Sequence, residues 1–256
     1  MSDPPDFFLD RVRADPIPST VPGSLPVLFF GDLFSASIAT IGINPSRREY
    51  LNRGGEELDG PGRRFETLRS LGVVDRGGID DVRAQAAIAR MRAYFDPNKP
   101  IYNGWFNGLS RVIDGMGFSY SGRSAAHLDL VQEATDPVWS GLFRADRAQA
   151  TLVLRRDVLF LRRQIEQFPL RVVILTSARV MSNLSDILPD ARIIADGTLA
   201  RIRWNVRVAE TPRGRIGVAG WNIPLARPTG LNADGQRSLG KLLATELKKA
   251  GVCLGA

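Results

Sequence analysis

The feature that most constrains this chain is a run of uncharged residues, Ile38 to Ile43, that ends at Asn44-Pro45. Its small and β-branched side chains are typical of a strand buried on both faces of a parallel sheet. Gly42 permits close backbone approach, and Pro45 cannot continue a hydrogen-bonded ladder. Asn44 is therefore a single polar side chain at the carboxyl end of a strand, where open α/β sheets bind ligands. A simple Asn-Pro turn without chemistry explains the same residues equally well.

Strand and helix patterns alternate along the rest of the chain, which favours a layered α/β structure. Helices are predicted over residues 3–14, 79–95, 105–116, 146–168, 178–188 and 234–249, and further strands over 27–30, 125–131, 171–176, 201–209 and 215–223. The residues of helix 79–95 that we expect to face the core are Val82, Ala86, Ile88, Met91 and Phe95. The length of 256 residues suits one domain over 1–256, with residues 1–25 as an N-terminal extension.

Composition excludes several classes of site and leaves a basic protein. Lys and Arg number 34 against 27 Asp and Glu, and a net charge of +7 suits a polyanionic partner, although such a balance also occurs in proteins that bind no nucleic acid. One cysteine, Cys253, and one histidine, His127, exclude disulfides within the chain, cysteine-ligated clusters and multi-histidine metal sites. We therefore expect no metal site, and we also expect no cofactor.

The sequence predicts a cytoplasmic protein without membrane association. No apolar run reaches the roughly 18 residues of a membrane span, and the acidic N-terminus does not resemble a secretory signal. The single cysteine suits a reducing compartment.

A second polar pair lies on the predicted strand 125–131. A period of two places His127 and Asp129 on one face. A lone strand histidine is more often a structural group than a catalyst, whereas a carboxylate is seldom buried without a partner or a task. Tyr102, in the loop before helix 105–116, is free to face a site, whereas Trp105 and Phe106 have the spacing of core residues.

Three segments resemble, in this order, motifs of the uracil-DNA glycosylase superfamily, especially its mismatch-specific branch. Gly42-Ile43-Asn44-Pro45 resembles the first motif, in which the Asn holds the hydrolytic water. His127-Leu128-Asp129-Leu130-Val131 resembles the central strand whose polar side chain reads the extruded base. Arg227-Pro228-Thr229-Gly230-Leu231-Asn232 resembles the last motif, Asn-Pro-Ser-Gly-Leu-Ser, which precedes the final helix and fills the gap left by the flipped base. The resemblance spans residues 38 to about 249.

The resemblance implies a three-layer α/β sandwich with a central, mostly parallel sheet. It also implies a monomeric, cofactor-free DNA glycosylase of the cytoplasm (nucleoid), acting on uracil-containing or damaged DNA to initiate base excision repair. The residues it assigns to catalysis are Asn44, Asp129 and Arg227. Those assigned to substrate binding are Gly42, Ile43, Pro45, Tyr102 and His127. Those assigned to DNA binding are Ser46, Arg47, Thr229, Gly230, Leu231 and Asn232.

The sequence departs from the family pattern at three positions. Ser46 stands where the branch usually has Gly, Asp129 where a base-reading Asn is common, and Arg227 where the family has Asn or His. An Asn amide both donates and accepts hydrogen bonds, whereas an ionised carboxylate only accepts. We therefore expect Asp129 either to help Asn44 orient water or to read the N3–H of the base.

The sequence leaves alternatives for the role of Arg227 and for the residue that stacks on the base. Arg227 is expected either to stabilise the departing base at O2 or to bind a DNA phosphate. Leu231 is the candidate wedge in the vacated stack, and Tyr102 or Phe95 is the candidate platform for the base.

Two other functions remain open at the level of sequence. One is a non-catalytic binder of damaged or abasic DNA, which would keep the pocket and the basic charge. The other is an enzyme acting on small nucleotides or nucleosides, although the chain contains no Gly-x-x-x-x-Gly-Lys phosphate loop and no dinucleotide fingerprint.

Overall fold

A computed structural model describes residues 3–225 and 229–254. Contacts divide these residues into two compact units, each assembled from separate stretches of chain. The first unit comprises residues 3–31, 43–102 and 129–157, and the second comprises 32–42, 103–128, 158–225 and 229–254. This division by contacts does not test the prediction of a single domain with an N-terminal extension over residues 1–25.

The second unit is built on one mixed six-stranded sheet, which confirms the α/β class. Its strands are β1 (Ile38–Gly42), β2 (Ala125–Asp129), β3 (Val172–Leu175), β4 (Arg192–Leu199), β5 (Ile202–Thr211) and β6 (Gly214–Trp221). The order across the sheet is β2-β1-β3-β6-β5-β4, and the last residue of β2, Asp129, is counted with the first unit. β3 runs parallel to both β1 and β6, whereas β5 is antiparallel to β6 and β4 to β5.

Helices supply the rest of the regular structure. The α-helices are α1 (Asp6–Arg13), α2 (Leu68–Leu71), α3 (Asp81–Arg92), α4 (Asn103–Gly115), α5 (Trp139–Ala145), α6 (Arg147–Gln167), α7 (Ala178–Met181), α8 (Leu184–Ile187) and α9 (Ala233–Lys249). Single 3₁₀ turns cover Arg47–Glu49, Gly60–Gly62 and Arg76–Gly78. Within the described ranges, no helix combines the length and the apolar content needed to cross a membrane.

Buried parallel strands form the centre of the sheet, as their sequences predict. Every residue of β1 and β3 is buried, and Ile38 to Ile41 pair in register with 172–175. In the same unit, α9 packs on α4 through two glycines. A methyl group at Gly240 would overlap the backbone of Val112, and one at Gly115 would overlap the backbone of Arg237. Only glycine permits this approach.

Several predicted elements are wrong in detail. Residues 27–30 are buried but form no strand, and Val27 N donates a single hydrogen bond to Gln132 O at 2.8 Å. The helix predicted over 178–188 is interrupted at Ser182-Asn183 and becomes α7 and α8. β2 ends at Asp129 and not at Val131. The edge strand β4 was not predicted, because its residues are mostly exposed and it is held by pairing with β5.

The buried face of α3 also differs from the prediction. Val82 is 75% exposed and Ala86 is exposed as well. The buried residues of this helix are Ala84, Ala87, Ile88 and Met91. Their spacing of i, i+3, i+4 and i+7 describes one helical stripe, from which Val82 and Ala86 deviate. In α4, Phe106 is buried as predicted, whereas Trp105 is only partly buried.

A buried ion cluster joins residues of the first unit that are far apart in sequence. Glu133 receives hydrogen bonds from Arg11 at 3.1 Å and from both terminal nitrogens of Arg76 at 2.9 and 2.8 Å. Arg11 also pairs with Asp157 at 3.2 Å. All four side chains are at most 8% exposed, so each charge depends on its partners in place of water. The two guanidinium groups hold the pKa of Glu133 below its usual value against the opposing effect of burial.

Removing Arg76 tests this cluster. Arg76→Ala is expected to lower the free energy of unfolding by roughly 3–5 kcal/mol, because it leaves part of the Glu133 charge buried and unpaired. The matched control is Arg215→Ala at the surface pair with Glu210, whose side chains are 46% and 60% exposed. That change should cost less than about 1 kcal/mol. Equal costs in urea denaturation would contradict the assigned role of the cluster.

Candidate active site

The side-chain amide of Asn44 is anchored by its nitrogen. Nδ2 lies 3.1 Å from Pro45 O, 3.1 Å from Glu133 O and 3.2 Å from Thr135 Oγ1. Two of these partners are carbonyl oxygens, which can only accept, so the amide must face them with its NH₂ group. Among the described residues none donates to Oδ1. Asn44 therefore presents a fixed hydrogen-bond acceptor, as holding a water molecule requires.

Two of the three partners of Asn44, Glu133 and Thr135, lie on a backbone segment, residues 131–136, that further hydrogen bonds hold in place. Its hydrogen bonds run from Val131 N to Ile43 O (2.9 Å), Gln132 N to Asp157 Oδ2 (3.1 Å), Val21 N to Ala134 O (2.9 Å) and Asp136 N to Ser19 O (2.9 Å). The Glu133 side chain adds its ion pairs with Arg11 and Arg76. These bonds fix the oxygens that orient the Asn44 amide.

A buried carboxyl group, Glu49, follows Asn44 by five residues. It lies in the 3₁₀ turn Arg47–Glu49, which Ser46 caps by accepting a hydrogen bond from Arg48 N. Tyr94 Oη donates to Glu49 Oε2 at 2.8 Å, and Arg64 Nε lies 4.0 Å from the same oxygen. Glu49 is 2% exposed. Burial, only partly offset by Tyr94 and Arg64, raises the pKa of Glu49 to about 8.

Asp129 contributes the second carboxyl group of the first unit's site. It is the last residue of β2 and is 3% exposed. Its negative charge contributes to the raised pKa of Glu49, although less than burial does. Gln132 Nε2 donates to the Asp129 backbone oxygen at 3.0 Å and closes the turn after the strand.

Tyr94 connects Glu49 to Tyr102. Its hydroxyl accepts a hydrogen bond from Tyr102 N at 2.9 Å, and its ring stacks on Phe65 with a centroid distance of 5.1 Å. Arg64 lies over the Tyr102 ring at 6.0 Å. Tyr102 is half-buried, whereas Phe95 is buried against Tyr94, so Tyr102 is the more accessible of the two predicted platforms.

Two of the residues predicted to bind DNA make contacts within the first unit. Ser46 is the cap of the 3₁₀ turn, and Arg47 Nη1 lies 3.0 Å from both carboxylate oxygens of Asp136. Both side chains of that ion pair remain more than 40% exposed, which leaves Arg47 accessible to a phosphate. Ile43 is partly buried and packs against an apolar cluster that includes Val131 and Trp139. Pro45 is buried.

Gly42 and His127 belong to the second unit. Gly42 is the buried last residue of β1. His127 is 1% exposed, and its Nδ1 lies 2.7 Å from Thr40 Oγ1, which in turn lies 2.6 Å from Tyr120 Oη. The Phe106 ring meets the imidazole edge-on at 5.2 Å. These contacts place His127 in the core of the second unit, and its predicted role in substrate binding stays a prediction.

The last predicted motif is described only in part. Arg227 lies outside the described residues, so its predicted role remains a prediction. Thr229 is buried, Gly230 has a φ of +77° that favours glycine, and Leu231 is half-buried. Asn232 caps α9 by accepting a hydrogen bond from Gly235 N at 2.8 Å. These four residues belong to the second unit.

The sequence did not identify Glu49, Tyr94, Glu133 or Thr135 as parts of the site. Glu49 follows two arginines, a pattern that equally suits a solvated turn. Glu133 and Thr135 act through contacts with residues far away in sequence, and neither carries a local pattern. The one sequence signal for Glu49 is its closeness to residues 42–45, the segment that resembles a known motif.

No protein-family model matches the chain, and a search of curated proteins finds no match.

Among the residues that the structure describes, no three His, Cys, Asp or Glu side chains are grouped so as to hold a metal ion.

The orientation of Asn44 yields a prediction about stability. Asn44→Asp places a carboxylate against the carbonyl oxygens of Pro45 and Glu133, which cannot donate to it. We expect a loss of about 1–3 kcal/mol in the free energy of unfolding, more than for Asn44→Ala. Asn107→Asp, on the exposed face of α4, is the control and should change stability by less than about 0.5 kcal/mol. A tolerated Asn44→Asp in urea denaturation would contradict the assigned orientation.

The raised pKa of Glu49 predicts how stability depends on pH. Folding favours its neutral form, so its contribution is complete below the usual pKa of 4.5 and is lost as pH rises through about 8. Relative to Glu49→Gln, which does not titrate, the wild type should lose roughly a few kcal/mol between these pH values. The control Glu56→Gln changes an exposed residue and should show a constant difference. Urea denaturation across this range provides the test.

Proposed function

We propose that this protein is a DNA glycosylase that hydrolyses the N-glycosidic bond of uracil, or of a related damaged base, in DNA. The product would be an abasic site, and the reaction would initiate base excision repair. The proposal includes the three-layer arrangement of the uracil-DNA glycosylase superfamily, with which the mixed α/β sheet is compatible. DNA is the proposed partner and a monomer the proposed state.

The observation that carries the proposal is the fixed acceptor of Asn44. Hydrolysis without a metal requires a water molecule held by acceptors at the reacting carbon. Asn44 Oδ1 is directed away from three oxygen partners that hold Nδ2, within the segment that resembles the water-holding motif of the family. Preorganisation of this kind removes the need to orient the water during the reaction.

The charges around Asn44 suit cleavage of a glycosidic bond. Positive charge develops on the sugar and negative charge on the departing base, so a carboxylate and a hydrogen-bond donor are both needed. Asp129, as a carboxylate, stabilises the sugar cation or accepts from the base, and both roles are compatible with its burial. The base must first leave the stack, at a cost of roughly a few kcal/mol. Tyr102 is the proposed platform for the extruded base, Arg47 a phosphate contact and Leu231 the proposed wedge.

Single-turnover assays on uracil-containing oligonucleotides without added metal test this function. Asn44→Ala and Asp129→Ala are expected to lower the rate of abasic-site formation by roughly tenfold or more, because each removes a preorganised group. Asn107→Ala is the matched control, since this asparagine is exposed on α4, and its rate should equal that of the wild type. Circular dichroism checks that all variants are folded.

Other results would decide against this proposal. Wild-type rates in both site variants would remove Asn44 and Asp129 from catalysis. Retention of uracil-containing or abasic DNA by the wild type without release of base would favour a non-catalytic binder of damaged DNA.

A further inference from the structure

Two glutamates of the first unit are equally buried but differ in their partners. Glu133 is 0% exposed and receives three hydrogen bonds from the guanidinium groups of Arg11 and Arg76. Glu49 is 2% exposed and receives one hydrogen bond, from the uncharged phenol of Tyr94. A buried carboxylate remains ionised only when cations and donors replace its water, and otherwise it takes up a proton. The contacts therefore favour an ionised Glu133 and a neutral Glu49.

The cation nearest to Glu49 does not change this assignment. Arg64 Nε lies 4.0 Å from Glu49 Oε2, which is too far for a hydrogen bond. The Nε atom is itself buried without a hydrogen-bond partner among the described residues. Asp129 opposes Arg64, because its negative charge disfavours a second carboxylate nearby.

The hydrogen bonds of Tyr94 place the proton on one oxygen of Glu49. The Tyr94 hydroxyl accepts from Tyr102 N and donates its only proton to Glu49 Oε2. Oε2 is thus an acceptor, and the proton of a neutral Glu49 resides on Oε1. None of the described residues hydrogen-bonds to Oε1. Glu49 consequently carries a donor that the described residues do not use.

We propose that Glu49 acts as a neutral carboxylic acid whose Oε1 hydroxyl donates a hydrogen bond to a carbonyl oxygen of the extruded base, while Asp129 accepts from the adjacent ring N–H. This inference rests on the proposed function and names the groups that read the base. The two carboxyl groups together supply the donor and the acceptor that one Asn amide supplies alone. Glu49 is in this way a specificity-determining residue.

The donor–acceptor pair defines a class of substrate. It matches a base that has a ring N–H beside a carbonyl, as uracil, thymine and hypoxanthine do. Cytosine presents the opposite pattern, because its amino group would face the Glu49 hydroxyl and its N3 lone pair would face the Asp129 carboxylate. Unmatched polar groups in a buried site give strong discrimination, so cytosine should be rejected.

The groups that face Glu49 determine how this reading depends on pH. They are Tyr94 beyond α3, Arg64 beyond the turn Gly60–Gly62, Asp129 at the end of β2 and Tyr50, the next residue in the chain. Burial raises the pKa of Tyr50 and of Tyr94 well above the usual value for tyrosine, so both remain neutral. Because the pKa of Glu49 is raised to about 8, the donor is present at pH 7 and is lost at higher pH.

The test compares Glu49→Gln with Glu49→Ala in single-turnover assays on uracil-containing oligonucleotides across this pH range. The wild-type rate should fall by up to about tenfold per pH unit above pH 8, as the donor ionises. Glu49→Gln keeps a donor that does not titrate, so it should retain the rate within a few-fold and lose the alkaline fall. Glu49→Ala should lower the rate by roughly 100-fold or more. Glu56→Gln, exposed and outside the site, should preserve both rate and profile.

An infrared measurement on the protein alone separates this inference from the proposed function. At pH 7 the carbonyl band of a protonated carboxyl should appear in the wild type, disappear on titration through about pH 8, and be missing from Glu49→Gln. An ionised Glu49 at pH 7, or a Glu49→Gln variant as slow as Glu49→Ala, would overturn the inference even if uracil is released. A wild type that releases no base would overturn the proposed function and with it the donation to a base, whatever the infrared band shows.

Discussion

The burial of Glu133 between Arg11 and Arg76 is the constraint on which the candidate active site depends. Three guanidinium hydrogen bonds fix this carboxylate, and its own backbone oxygen accepts from Asn44 Nδ2. A buried ion cluster of this kind has a large desolvation cost and is weak evidence for stability in itself. Its effect in this protein is to fix the position of residues 131–136, the segment that orients the Asn44 amide.

The same unit shifts the pKa values of two buried glutamates in opposite directions. Glu133 is surrounded by cations, and its pKa is lowered, whereas Glu49 is buried beside a phenol and near Asp129, and its pKa is raised to about 8. Sites in which neighbouring environments separate pKa values in this way can supply an acid and a base at neutral pH. In the proposed reaction, Asn44 holds water, Asp129 accepts and Glu49 donates, so that separate residues meet each requirement of hydrolysis.

The sequence predicts those strands and helices whose burial follows a local apolar pattern. The uncharged run at 38–43 became the buried strand β1, and the apolar spacing at 234–249 became α9. The strand β4 was missed because an exposed edge strand is defined by its partner, and its Ile193 and Ile194 are about half exposed. The prediction that Val82 is buried is wrong. Val82 is apolar, but it lies outside the helical stripe that the buried residues of α3 form.

Some residues of the candidate site can be predicted from the sequence and others cannot. Asn44 is a candidate from the sequence alone because it follows a predicted strand, in a segment that resembles a known motif. Arg11 and Glu133, separated by 122 residues, meet only in the folded chain, and no local signal reports such a pair. Glu49 acquires its significance from Tyr94 and from burial, neither of which its immediate sequence reveals.

Hydrolytic removal of a base whose edge carries a ring N–H beside a carbonyl is the central proposal. Its most direct test is to incubate the wild-type protein with single- and double-stranded oligonucleotides that contain uracil, a thymine mismatch, hypoxanthine, cytosine or an abasic site, and to identify released bases by mass spectrometry. We predict free uracil or another base of that class, an abasic site in the strand, and no release of cytosine. Intact glycosidic bonds in every oligonucleotide, under conditions in which the protein is folded, would contradict the proposal.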